Sequence, residues 1–387
     1  MTATAVDFIV VGGGIAGLSV AYELAAEGSV AVLEAESAPG YHATGRSAAV
    51  LSENYGPALW SRLVTASRAF LERPPEGFAP VPLVGPRGAL FLAMEHEKEA
   101  LRDQAAGMAG RGAAVELMPA GDATRLCPVL RTERFALALF ERDCLDIDTD
   151  ALMTGYGRGL RARGGRLHTD ARVGRLSRRA GTWTAVTAGG TFEAPVIVNA
   201  AGGWARDVAA LAGIGPREVV PFRRSAATFD PPAGTDIRHW PMTFDVAETF
   251  YFKPEAGRVM VSPVDMAACE PCDAQADELE VAIAVDRIQA FTSLEVRAIR
   301  HRWGGLRTFA PDHEPVIGPD PAAEGFVWLA GQGGNGVMAA AAAARLAAGL
   351  ATGRGVPGDL AALGITADGV SPGRPCVSAP EVPTEAA

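Results

Sequence analysis

The sequence has no apolar run near the roughly 20 residues needed to cross a bilayer. Its nearest approach, the alanine-rich stretch 338–351, is too short and too weakly apolar. The start, MTATAVDFIVVGGG, carries no basic segment, and glycine breaks its apolar run after five residues. Neither a membrane span nor a secretory leader is therefore expected, and a cytoplasmic location is. Basic residues are in deficit, 35 against 45 acidic, for a net charge of −10. That balance argues against nucleic acid or an anionic membrane as the main partner. It leaves small ligands open, because local arginines decide their binding.

Cysteine is sparse too. Cys127, Cys144, Cys269, Cys272 and Cys376 are odd in number and scattered, which suits a reducing compartment. Only Cys269-Glu-Pro-Cys272 has metal or redox spacing, and no second pair or nearby His completes a zinc site. Two thiols in an acidic surface loop is the expectation, with no metal bound. The six His residues form no catalytic pattern, and no Ser/His/Asp arrangement is present. His42, beside Tyr41, reads as a packed or capping residue. No repeat of fixed period is visible.

What is present is a 387-residue, 48% hydrophobic chain, a length that suits two intimately joined domains. Residues 7–12 (DFIVVG) read as a buried strand, 14–28 as a helix ending at Gly28, and 30–36 (VAVLEAE) as a second strand. Together they make one βαβ unit. Helices are expected at 57–71, 95–109 and 148–163, and a strand at 86–93. APVIVNAAGGWA (194–205) reads as strand, glycine turn and helix, and 324–353 repeats that order. Residues 217–230, 241–252 and 257–263 read as successive strands of an antiparallel sheet, and the tail from 368 as poorly ordered.

Gly12-Gly13-Gly14-Ile15-Ala16-Gly17 is a GxGxxG motif that follows a strand and opens a helix, with Glu34 closing the next strand. Gly12 permits the tight turn, Gly14 lets backbone approach a pyrophosphate, and Gly17 lets helix and strand pack closely. The helix start offers free N–H groups to phosphates, and Glu34 can accept from both ribose hydroxyls. A dinucleotide site follows. NAD domains continue through regular βαβ units. Here the chain enters PGYHATGRSAA (39–49), whose small side chains suit a segment lying against a large planar ligand. Gly45, Ser47, Ala48 and Ala49 then present backbone groups to a flavin, and the later glycine returns NAAGGWA and GQGGNG close around it. This favours FAD. The last return, ahead of an alanine-rich helix, is expected to aim N–H groups at the negative charge of a reduced flavin.

These pieces, with DIDTDAL (146–152), RRSA (223–226), TFYFKP (249–254) and WGGLRTF (303–309), resemble the glycine oxidase/D-amino-acid oxidase family of flavoproteins. More specifically they resemble bacterial D-arginine dehydrogenase, and the resemblance covers roughly residues 5–365. The resemblance implies an α/β fold with a discontinuous Rossmann-like, glutathione-reductase-like FAD domain (1–85, 146–215, 305–367). A second α+β substrate domain (86–145, 216–304) is built on an antiparallel sheet. The implied chemistry is oxidation of an amine by hydride transfer to flavin N5, then hydrolysis of the imino product. Ala35, Arg46, Val173, Ala201, Gly202, Trp204, Gly333, Gly334, Asn335, Gly336 and Val337 join the cofactor set. Covalent relatives use a Cys near the flavin; residues 303–318 hold none, so non-covalent FAD is expected.

For a substrate carboxylate the resemblance points to Arg224, Arg307 and Tyr251, and guanidinium forks suit bidentate carboxylate binding. Strand alternation turns Arg223 the other way. Tyr55 matches a lid tyrosine that either orients the amine or only excludes solvent, and the Gly334 carbonyl can accept from the amine. The family's arginine enzyme has a His at the position of Val50, an acid near Ala89 and a Gln near Met338. Val50, Ala89 and Met338, with Phe244 adding bulk, remove that polarity. A neutral or hydrophobic D-amino acid is the expected substrate, with a cyclic or N-alkyl amino acid as the alternative, since an unpaired buried cation is costly. Oxidation of a 2-hydroxy acid and a catalytically silent flavin-binding subunit remain alternatives. The electron acceptor, whether oxygen, quinone or another, stays open.

Overall fold

A computed structural model of the chain describes residues 3–378. The β-branched runs Phe8–Val11 and Val30–Leu33 are buried at every position, which marks strands covered on both faces. They lie inside a six-stranded sheet ordered Arg166–His168, Val30–Leu33, Phe8–Val11, Val196–Asn199, Phe326–Ala330 and Val316–Pro319. All neighbours are parallel except the last pair. Successive side chains serve opposite layers. Val10, Val32 and Val198 pack with helices Ile15–Leu24, Thr149–Ala162 and Ala340–Ala351. Ile9, Val11 and Ile197 pack under a four-stranded sheet that carries Trp183 and Phe192.

The second sheet has nine strands. Val220–Phe229 pairs on one edge with His301–Phe309 and on the other with Arg258–Ser262, followed by Tyr251–Glu255, Met242–Asp245, Ala89–Ala93 and Leu137–Glu141. Helix Glu278–Phe291 covers one face. Helix Lys98–Gly110 covers part of the other.

Three expectations need correction. The sheet is not wholly antiparallel: Met242–Asp245 runs parallel to Ala89–Ala93. Parallel neighbours need a long crossover, and here the chain between them detours through the first domain. His301–Phe309 pairs along its whole length, from Thr228↔His301 to Val220↔Phe309, so the boundary falls after Phe309 rather than at 305. The stretch 368–378 packs: Val370 and Val377 are fully buried, and Arg374 Nε donates to Asp312 at 3.0 Å. Residues 379–387 lie outside the described residues. Helix Glu278–Phe291 and the strands between 166 and 194 went unanticipated. Among the described residues no helix is long and apolar enough to cross a membrane.

Candidate active site

The first strand leaves its sheet at Gly12, where φ is +103° and a Cβ would sit 2.5 Å from the Ala200 carbonyl oxygen. A Cβ on Gly17 would lie 1.8 Å from the Gly12 oxygen; only glycine allows this close strand–helix approach. The helix starts at Ile15, whose N–H donates to Thr44 Oγ1 at 3.0 Å. Glu34 accepts from the Gly13 N–H at 2.6 Å and the Glu36 N–H at 2.8 Å, which fixes its carboxylate at the strand end.

One cleft runs from this turn to the second sheet. Gly12, Gly14, Ile15, Ala16, Glu34 and Ala35 line it, with Val173, Ala201, Gly202 and Trp204. Arg46, Ser47, Ala48, Gly333, Gly334, Gly336 and Val337 complete the predicted residues that it brings together. Four others stand elsewhere. Gly17 serves packing alone. Gly45 is pressed against the Gly40 carbonyl, where a Cβ would lie 2.6 Å away, and lines a separate groove behind the 39–49 wall. Ala49 lines that groove and a smaller cavity described below. Asn335 is buried with its side chain near Gly56. Although Arg46 lines the cleft, its guanidinium is committed to protein, donating to the carbonyls of Ala274 and Gly304 at 2.9 Å each.

The glycine return keeps the expected order of strand, loop and helix, with a loop that runs on past the glycines. Turns, not helix, occupy residues 333–339, and the helix begins at Ala340. The N–H groups nearest the cleft therefore belong to turn residues. Among the described residues none accepts from the N–H of Gly334, Gly336 or Val337. Of the cleft-lining residues, His42 also leaves a buried atom, Nδ1, without a partner among the described residues. His42 packs on Trp204 at 4.5 Å and holds Glu36 through Nε2 at 3.1 Å, so it is packed as expected, yet it also lines the cleft. Free donors, an unpartnered ring nitrogen and a carboxylate fixed at the strand end fit a dinucleotide. Among the described residues no group of His, Cys, Asp and Glu could hold a metal.

A sequence model of the family described as "FAD dependent oxidoreductase", DAO, matches residues 7–350. The chain belongs to the DAO family. It is 26% identical over 368 residues to glycine oxidase of Bacillus licheniformis, covering 90% of this chain and 94% of the relative. Glycine oxidase from Geobacillus kaustophilus has the same fold, with a TM-score of 0.79 at 22% identity over 90% of this chain and 95% of the other. L-α-glycerophosphate oxidase from Mycoplasma pneumoniae with FAD bound superposes at 0.80 with 20% identity, covering 90% and 95%. This DAO-family chain is thus an FAD-dependent oxidoreductase.

Where the cleft meets the second sheet, a compact cavity is lined by Val50, Tyr55, Arg224, Phe244, Glu248, Tyr251, Arg307, Gly334 and Met338. The register explains the cluster. Arg307 pairs with Phe222 and Arg224 with Gly305, so the two arginines share one sheet face two residues apart. Phe244 pairs with Tyr251, their rings 5.5 Å apart. Arg223 points to the opposite face, donating to Asp277 at 2.8 Å. Gly334 has no side chain to hold the neighbours off: a Cβ there would lie 3.1 Å from the Arg307 guanidinium and 3.7 Å from the Tyr55 ring.

Arg224 is buried, and its only protein partner among the described residues is the Asp265 carbonyl, which accepts from Nε at 2.8 Å. No carboxylate pairs with Arg224 or Arg307 among those residues. Burial first, and Arg307 second, pull Arg224 down to about 10. Two cations facing each other without a counter-ion form an anion site.

Ala89 is not brought to this cavity. It is buried in the sheet between Met242 and Glu141. An acid reaches the cavity from another direction: Glu248, which the sequence alone did not single out. Asp245 builds the turn that presents it, accepting from Thr249 N–H at 2.7 Å and Phe250 N–H at 3.0 Å. Glu248 itself adopts φ +52°, a strained conformation for a non-glycine residue. Open to solvent on its outer side, Glu248 is raised by burial against the cavity walls, opposed by Arg224 and Arg307. The one signal for it was an acid in the turn just before TFYFKP.

Proposed function

We propose that this protein oxidises an amino-acid-like amine, a D-amino acid with a neutral or hydrophobic side chain, to its imino acid. Water then converts the product to the 2-oxo acid and ammonia. The observation that carries this reading is the pair of unpaired guanidiniums, Arg224 and Arg307, converging with Tyr251 on the cavity. They take the substrate carboxylate, a bidentate and charge-assisted contact, and so fix the α-carbon against the cleft. The Gly334 carbonyl accepts from the amine. Tyr55, half-buried over Gly334, excludes water and orients the amine. FAD, when bound, supplies the acceptor for the hydride that leaves the α-carbon.

The FAD is held non-covalently in this reading, supported by the lack of any cysteine among the cleft-lining residues. Val50, Met242, Phe244, Val264 and Met338 make the walls around the side chain apolar, which favours a neutral substrate. The clamp matches what the sequence resemblance to D-arginine dehydrogenase implies, while Val50 and Met338 make the cavity more apolar than that resemblance implies. The test is anaerobic bleaching of the flavin against D-amino acids, N-alkyl amino acids and 2-hydroxy acids. Fastest bleaching by D-Leu, D-Met or D-Phe supports the reading; bleaching by 2-hydroxy acids alone refutes it.

Glu248 favours a second reading, in which a substrate cation reaches the outer rim of the cavity. Glu248→Gln separates the two. If neutral substrates dominate, it changes their kcat/KM less than threefold. If basic substrates dominate, it lowers theirs by about 10- to 100-fold, the loss of one charge-assisted contact.

A further inference from the structure

Glu141 is buried at 2% exposure on the strand Leu137–Glu141, opposite Ala89, so both side chains lie on the cavity face of the sheet. It lines neither the cleft nor the cavity. No Lys or Arg forms an ion pair with it among the described residues; Arg68 acts only at longer range, against Asp143. Its partners are instead two side chains of the segment that carries Val50 and Tyr55. Ser52 Oγ donates at 2.9 Å, and Asn54 Nδ2 donates at 2.8 Å. Ser52 in turn accepts from the Asn54 N–H at 3.2 Å, which closes a small network beneath the turn.

We propose that Glu141 is the positioning residue that holds this segment shut, setting Val50 and Tyr55 over the substrate cavity. The proposal rests on the reading above of residues 50–55 as the cover of the site. Glu53 makes the competing ties, to Arg68, Thr65 and Ser61. These partners lie on helix Ala58–Glu72, which Trp60 and Ser67 fasten to the His313 carbonyl and the Ala342 N–H. They therefore anchor the end of the segment, as the pairing of Val50 and Leu51 with Asp146 and Leu145 anchors its start. Residues 52–55 lie between. The Glu141 bonds cross to the other domain, as does the weaker contact from Arg111 Nε to Asn54 at 3.3 Å. A carboxylate without a counter-ion needs these donors. Opening the segment strips them away, and only water can replace them. Glu141 touches no reacting atom; it acts through Ser52 and Asn54.

The experiment uses the FAD-loaded full chain, with benzoate as a probe anion followed by perturbation of flavin absorbance in stopped flow. Amide hydrogen exchange of residues 50–56 is read alongside. Glu141→Leu is expected to speed benzoate release by 10- to 100-fold, matching loss of hydrogen bonds to a charged group. It should raise exchange at 50–56 while leaving helix Ile15–Leu24 protected. Glu141→Gln, which keeps an acceptor in place, should restore native release within threefold. If Glu141→Leu does not fold, the double variant Ser52→Ala/Asn54→Ala tests the same bonds from the other side and should reproduce both effects. Unchanged release and exchange in these variants, or a rise in exchange spread over the whole chain, overturns the proposal. If the native protein binds no benzoate, the carboxylate clamp fails, and exchange at 50–56 still decides the role of Glu141.

Discussion

Arg224→Met offers a prediction in which stability and activity should move in opposite directions. Burial and Arg307 hold the native guanidinium at about 10. The gap from a free guanidinium corresponds to about 3 kcal/mol of unfavourable free energy in the charged form. Methionine keeps much of the length and apolar contact without that charge. It also gives up the bond to the Asp265 carbonyl, a loss of about 1 kcal/mol. The net gain is then about 2 kcal/mol. An unfolding entropy of roughly 2.1 cal/mol/K per residue, taken over 387 residues, turns this into a Tm rise of about 2–3 °C. Activity should fall. Losing a charge-assisted carboxylate contact costs about 1.5–3 kcal/mol, or about 10- to 150-fold in kcat/KM. Thermal melts of the FAD-loaded protein with and without a small carboxylate, beside anaerobic flavin reduction, read both quantities. The carboxylate should raise the native Tm and leave that of the variant nearly unmoved. A lower Tm in the variant, with substrate capture unimpaired, would show that Arg224 is a structural cation and no part of a clamp.

Other predictions address the cofactor, the glycine turn and the buried acid. Glu34→Ala removes the carboxylate that Gly13 and Glu36 hold in place; it should weaken FAD binding about 10- to 100-fold, read from flavin absorbance retained after dialysis. Gly334→Ala sets a Cβ 3.1 Å from the Arg307 guanidinium, so kcat/KM should fall about tenfold while flavin content stays native. Burial raises Glu141 above the usual carboxylate range, despite donors from Asn54 and Ser52. The native state therefore binds its proton more tightly than the unfolded chain. Stability from that proton is fully present below the unfolded value of roughly 4.3 and is lost as pH rises through the folded one. Glu141→Gln should match the native Tm near pH 4 and exceed it at pH 7, and an equal Tm difference at both pH values would contradict this.

How much was legible in the sequence follows from how local each signal is. The GxGxxG turn, its helix and Glu34 occupy one contiguous βαβ unit, so spacing alone conveys their geometry. Adjacent residues of a strand face opposite ways, which assigns opposite faces to Arg223 and Arg224, and the structure keeps that division. Ala339 and its neighbours have high helix propensity, yet the helix after GQGGNG begins only at Ala340. The turn bonds Asn335 N–H to Gln332 and Ala339 N–H to Asn335 override it. The parallel junction of Met242–Asp245 with Ala89–Ala93 was beyond reach, since a distant pairing leaves no mark in either strand.

The two acids that the reading missed share that cause. Glu141 stands 89 residues from Ser52 in sequence, and Glu248 meets the arginines only once the sheet has formed. Read by position, Ala89 signified a lost charge. In three dimensions the neighbouring strand supplies a carboxylate beneath the cover, and the 245–250 turn supplies one at the rim. Neither reproduces what an acid at position 89 would do, because Glu141 is spent on Ser52 and Asn54, and Glu248 lies on the solvent side. Ala89 itself lies in the sheet outside the cavity, so these two carboxylates, rather than position 89, set where negative charge stands around the site. In the proposed reading, substrate choice turns on how far a side chain reaches: a short apolar one stays among Val50, Phe244 and Met338, and a long cationic one arrives at Glu248.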